Sequence, residues 1–122
     1  VFAEKETREA YNRIVHPALL ARLRSWLDRP REQVAVVEAA LIPEWGIEDW
    51  FDEVWCIVCS EETAQARWKG DKERYSNIRR AQFAPDRKKA KVERVIENER
   101  SQEELERRLR DEWERFRRES GR

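Results

Sequence analysis

Cys56 and Cys59 are the residues whose type and spacing first suggest chemistry, because a C-x-x-C pair can serve as a redox couple or as part of a zinc site. The segment that holds them, "VWCIVCS", reads as a strand. Side chains three apart on a strand point to opposite faces, so these two thiolates are poorly placed to grip one metal ion together. The sole histidine, His16, lies far upstream. Both cysteines therefore read as buried free thiols, which suits a reducing cytoplasm. No metal-ligand set is expected.

The strand that carries the cysteines is the second of a pair. "VAVVEAALIPEWGIEDWFDEVWCIVCS", residues 34–60, reads as apolar strands at 34–38 and 54–58 around a turn with Pro43 and Gly46. Strands apolar on both faces belong inside a covered sheet. A third short strand is expected at "RVIEN", 94–98. Helical periodicity predicts a helix over 4–15 and another over about 17–28, parted at His16-Pro17, because a proline disfavours helix in the residue before it. Ser60, with Glu61 and Glu62 behind it, opens a helix to about Lys69. A short helix is expected at 73–83. Ser101 and Glu104 form an S-x-x-E capping box for a last helix to about Glu119, whose stripe is Leu105, Leu109, Trp113 and Phe116. Strands alternating with helices predict an α/β fold with a parallel sheet.

Composition limits what this frame can do. The 122 residues suffice for one domain, and 26 basic side chains balance 26 acidic ones. A zero net charge gives no long-range pull toward nucleic acid or an anionic membrane. No apolar run approaches the roughly 20 residues of a membrane span, and no signal peptide opens the sequence. Six tryptophans and four phenylalanines supply much of the area available for burial. The first residue is Val1 and no cap or strand opens the chain, so a fragment is expected.

Several stretches taken in order give a family resemblance. "REAYNRIVHPALLARLRSWL", "VVEAALIPEWGIEDWFDEVWCIV", "EETAQARW", "IRRAQF" and "VERVIENERSQEEL" resemble dephospho-CoA kinases, from about Phe2 to about Leu109. The steps Ile14-Val15-His16-Pro17 and Val95-Ile96-Glu97-Asn98 are the most specific parts. The resemblance implies a P-loop kinase fold that phosphorylates the ribose 3′-hydroxyl of dephospho-CoA with ATP and Mg²⁺, the last step of coenzyme A synthesis, in the cytoplasm. The glycines are Gly46, Gly70 and Gly121, and none belongs to the G-x-x-x-x-G-K-[ST] loop that cradles ATP phosphates. The early aspartate expected to activate the substrate hydroxyl also has no match. The chain thus looks like the C-terminal larger part of such an enzyme. One partial kinase domain over 1–122 is expected: an α/β fold with an incomplete P-loop-kinase-like parallel sheet, flanking helices, a helical substrate-binding part over about 1–31 and a helical lid over 64–85. In the family sheet the P-loop strand lies between the strands that 34–38 and 54–58 resemble, so two open edges and self-association through them are expected.

The same resemblance suggests which residues act. Arg67 matches the first lid arginine, which folds over ATP and offsets charge on the transferred phosphoryl; a guanidinium fork suits phosphate oxygens. The second lid arginine has no clean match, and Gly70-Asp71 stands there. Gln82 resembles the glutamine that ends the lid helix. Asn98 matches the asparagine near the adenine, where an amide can donate to and accept from a purine edge; a turn role fits it equally. His16, Pro17 and Arg22 fall in the part that embraces dephospho-CoA, and Glu44 resembles a glutamate at a strand's carboxyl end. No residue is expected to bind metal, and the partners implied are ATP and dephospho-CoA. A non-catalytic helical binding or scaffold module is the alternative reading. The isolated chain is expected to be inactive.

Overall fold

The computed structural model describes residues 3–82, 84–89 and 91–121. The chain divides into two compact units, Val1–Glu38 and Ala39–Arg122.

The first unit is built on α1, Ala3–Leu27, which runs unbroken through Pro17. The break expected at His16-Pro17 is absent. Proline removes one N–H bond and crowds the preceding turn, but the helical sequence on both sides continues the ladder across it. Tyr11 and Ile14 are largely exposed, while Leu20, Leu23 and Leu27 are half-buried. Beyond the helix, the Arg31 guanidinium stacks 4.2 Å from the Trp26 ring centroid and donates to the Trp26 carbonyl, covering one terminal acceptor. The strand expected at 34–38 does not form; the residues are irregular and Val36 is 76% exposed. An apolar run becomes a strand only when a neighbour accepts its backbone bonds, and no described residue pairs with this one.

The second unit opens with α2, Ile42–Trp45, closed by Gly46 at φ 67°, a left-handed conformation that favours glycine. A 3₁₀ turn, Glu48–Trp50, leads into β1, Trp55–Val58. Then follow α3 (Glu61–Arg67), α4 (Lys72–Ala81), α5 (Pro85–Lys89), β2 (Arg94–Glu97) and α6 (Gln102–Ser120). β1 and β2 pair in parallel, with Trp55 opposite Arg94 and Val58 opposite Glu97. The ladder is extended by Glu93 N–H to the Val54 carbonyl (3.0 Å) and Asn98 N–H to the Val58 carbonyl (2.7 Å). The α/β class and the parallel pairing stand as expected, in a mostly helical chain with two strands among the described residues. One pair leaves much of the sheet face open: Ile57 is 51% and Val95 43% exposed, against the expectation of strands covered on both sides. Cys56 and Cys59 are free but half-buried rather than buried. Burial pushes the Cys56 thiol up, and Lys88 and Lys89 oppose that rise.

Ser60 and Ser101 cap their helices as the sequence implies, each accepting an N–H at 3.2 Å from Thr63 and Glu104 respectively. The other half of the Ser101 box is not used, because the Glu104 carboxylate pairs with Arg107 and Arg108. The buried apolar residues among those described are Ile42, Ile47, Val54, Ile96 and Phe116. Phe116 meets Trp55 edge-on at 6.2 Å and stacks on Trp113 at 5.4 Å, which seats α6 against the sheet. Around this core Arg94 joins three elements. Its guanidinium reaches Glu53 (2.7 Å), Glu112 (3.0 Å) and Glu119 (2.5 Å) and lies 5.6 Å from the Trp55 ring centroid.

Arg94 holds the Glu53 carboxyl below its ordinary value of 4.5, mainly through their hydrogen bond. Stability from this pair is therefore present above pH 4.5 and is lost as pH falls through the depressed value. Arg94→Met should lower the melting temperature at pH 7 by at least about 4 °C, roughly 1 kcal/mol in a domain of this size. It should also flatten the fall of melting temperature below pH 4.5. Parallel pH profiles for the two proteins would contradict this role.

Candidate functional site

Parallel pairing brings the carboxyl ends of β1 and β2 to the same edge, the edge where ligands bind in open α/β sheets. Two turns leave from it, Cys59-Ser60 after β1 and Asn98-Glu99-Arg100 after β2. α3 is strapped to the second turn at both of its ends. At its start the Glu99 carboxylate accepts from the Ser60 N–H, the Ser60 hydroxyl (3.2 Å) and the Thr63 hydroxyl (2.6 Å). The Thr63 hydroxyl and then the Ser60 N–H hold the Glu99 carboxyl below the usual carboxylate range. At the other end, the Arg67 guanidinium donates to the Asn98 carbonyl at 2.7 Å and to the Arg100 carbonyl at 2.9 Å. Arg67 and Asn98, each singled out in the sequence, thus meet. Arg67 is exposed and a guanidinium has five N–H donors. These two bonds aim its positive charge at the sheet edge without exhausting its donors.

α3 also carries α4. Glu61 accepts from the Tyr75 hydroxyl at 2.7 Å and pairs with Arg79, and the Tyr75 bond is the main reason its carboxyl sits low. The Trp68 ring lies 5.6 Å from that of Tyr75, and its indole N–H donates to the Asp71 carbonyl at 3.0 Å. Gly70 has a steric cause here: a Cβ would come within 2.8 Å of the Trp68 indole. Asp71 caps α4 by accepting the Glu73 N–H at 2.9 Å. Gly70-Asp71 is therefore a connector between α3 and α4.

Gln82 and Glu44 meet through a residue the sequence reading passed over. Lys88 on α5 donates to Gln82 Oε1 (2.8 Å) and the Ala40 carbonyl (3.0 Å), and pairs with Glu44 Oε2 at 3.4 Å. In the sequence Lys88 stands among Arg87, Lys89 and Lys91 with nothing to mark it. Glu99 was equally unmarked. His16, Pro17 and Arg22 all lie on α1 of the first unit, His16 half-buried, Pro17 and Arg22 exposed. No group of three or more His, Cys, Asp or Glu among the described residues could hold a metal ion.

The geometry sets the Arg67 guanidinium and Asn98 at the carboxyl end of a parallel sheet, residue types suited to phosphate and purine recognition. Comparison with known proteins gives the family. The sequence model of the dephospho-CoA kinase family matches residues 1–104. A dephospho-CoA kinase of Geobacter sulfurreducens is 37% identical over 120 residues, covering 93% of this chain and 61% of that protein. One of Symbiobacterium thermophilum is 31% identical over 106 residues, 80% of this chain and 44% of that protein. The chain thus spans about half of the length of these curated relatives. No solved structure matches significantly.

Replacing Arg67 by Met removes both bonds to the turn after β2. The expected loss is about 1–2 kcal/mol at this exposed position, read by chemical denaturation, with faster exchange of the amides in α3. Unchanged stability and exchange would show that the strap carries no weight.

Proposed function

The chain belongs to the dephospho-CoA kinase family, and from that footing we propose that it forms part of an ATP-dependent kinase acting on the ribose 3′-hydroxyl of dephospho-CoA. The observation that carries the reading is the Arg67 guanidinium, fastened to the Asn98 and Arg100 carbonyls at the carboxyl edge of the parallel sheet. In this reading Arg67 belongs to a lid over about 64–85 and offsets negative charge on the transferred phosphoryl group. A fixed cation stabilises the transition state without reorganising as the charge develops. Gln82 and Asn98 face the nucleotide, whose purine edge and phosphate oxygens suit amide donors and acceptors. His16, Pro17, Arg22 and Glu44 serve the dephospho-CoA side, from a helical part over about 1–31 and from α2.

ATP carries the phosphoryl group in this proposal, and Mg²⁺ would accompany it. No group of metal-ligating side chains stands among the described residues to hold the ion independently of the nucleotide. In this reading the reaction belongs to the cytoplasm. In the described residues no helix is long and apolar enough to cross a membrane. Self-association is proposed through the edge of β1 that faces away from β2, since unpaired backbone groups template a further strand.

The reading is tested by calorimetry on the 122-residue chain. Dephospho-CoA should bind more tightly than ATP, because the helical residues assigned to it are present while the sequence has no phosphate-cradling loop. With both ligands supplied, ADP should not rise above a no-protein control. Absence of dephospho-CoA binding at millimolar concentration, or tighter binding of ATP, would overturn the assignment.

A further inference from the structure

Lys88 is set deeper than its basic neighbour on the same helix: its side chain is 18% exposed, against 39% for Lys89. An ammonium group has three N–H donors and accepts nothing. Placed largely out of water, it needs acceptors for all three. Lys88 faces three, and each comes from a different place in the second unit: the Ala40 carbonyl ahead of α2, Glu44 Oε2 within α2, and Gln82 Oε1 after α4. The Glu44 side chain is itself only 11% exposed, so the lysine charge compensates a carboxylate that is also withdrawn from water.

The chemistry of this cluster settles the orientation of the Gln82 amide. Lysine can only donate, so the amide oxygen must be the atom turned toward it, and the –NH₂ must be the end turned elsewhere. Among the described residues that –NH₂ has no acceptor. We propose that Lys88 is a positioning residue that locks Gln82 with its oxygen inward, so that the amide –NH₂ is presented to a hydrogen-bond acceptor of the bound nucleotide. The same three contacts fasten the end of α4 to the Ala40–Glu44 segment. The ligand half of this inference rests on the reading of Gln82 as a nucleotide contact; the orientation itself does not.

Nuclear magnetic resonance of the Gln82 side-chain –NH₂, thermal melts and a titration with millimolar ADP test it on the 122-residue chain. Lys88→Met should shift the Gln82 amide pair and lower the melting temperature. Gln82→Glu should keep the melting temperature, since a carboxylate still accepts from Lys88, yet weaken ADP binding at least about tenfold by replacing the donor with an acceptor. Gln82 signals and melting temperature both unchanged in Lys88→Met would overturn the positioning role. If Lys88→Met moves those signals but ADP moves none of them in the wild-type chain, the positioning role is supported and the nucleotide reading of Gln82 falls.

Discussion

The Arg94 guanidinium is the interaction on which the second unit depends. It sits on β2, reaches back to Glu53 ahead of β1 and forward to Glu112 and Glu119 on α6, and lies beside the Trp55 ring. A two-stranded sheet is marginal by itself and needs a packed face. Here α6 supplies that face through Phe116 and Trp113, and Arg94 fixes the direction in which α6 lies. One cation meeting three carboxylates also explains why so charged a chain can bring acids together beside its core: each is neutralised by a planar fork that bonds two or more oxygens at once. Removing the cation would leave like charges facing one another in a partly desolvated place.

The carboxyl edge inherits its order from that sheet. Once β1 and β2 are in register, Cys59 and Asn98 follow side by side and Ser60 comes beside Glu99, and the Glu99 and Arg67 straps close over α3 from opposite ends. The straps have opposite charge and each suits its end of the helix. Glu99 accepts from the Ser60 N–H and the Ser60 and Thr63 hydroxyls at the start of α3, where the helix dipole favours an anion, and Arg67 leaves from the last turn, where it favours a cation. α4 is then carried as an extension of α3 through Trp68, Gly70 and the Glu61–Tyr75 bond. Lys88 performs the corresponding task for Gln82 and Glu44.

What was legible in the sequence was written locally. Ser60 and Ser101 announce their helices because a cap is a contact of three residues' reach, and the Leu105–Phe116 stripe announces a buried face by its period. The strand at 94–97 carried its own β-branched signal. The strand at 34–38 did not form, because "VAVVE" states apolar character but a strand is a relation between two segments. Pro17 misled for the opposite reason: a local preference against helix was outweighed by the rest of a twenty-five-residue helix. Arg67, Gln82, Asn98 and Glu44 came from the family resemblance, and no periodicity in the chain would have brought Arg67 to Asn98 or Gln82 to Glu44. Lys88, Arg94 and Glu99 gave no signal, since in a chain that is 43% charged nothing distinguishes a withdrawn cation from a solvated one.

The central claim is that the two-stranded parallel sheet, 55–58 with 94–97, is the frame that positions the site, and that 34–38 takes no part in it. Native-state hydrogen exchange measured amide by amide tests this directly. The account predicts the slowest exchange in β1 and β2 and at Asn98, whose N–H bonds the Val58 carbonyl, with 34–38 exchanging at nearly unprotected rates. Protection of 34–38 equal to that of 94–97, or loss of protection at Asn98 while α3 stays closed, would contradict it.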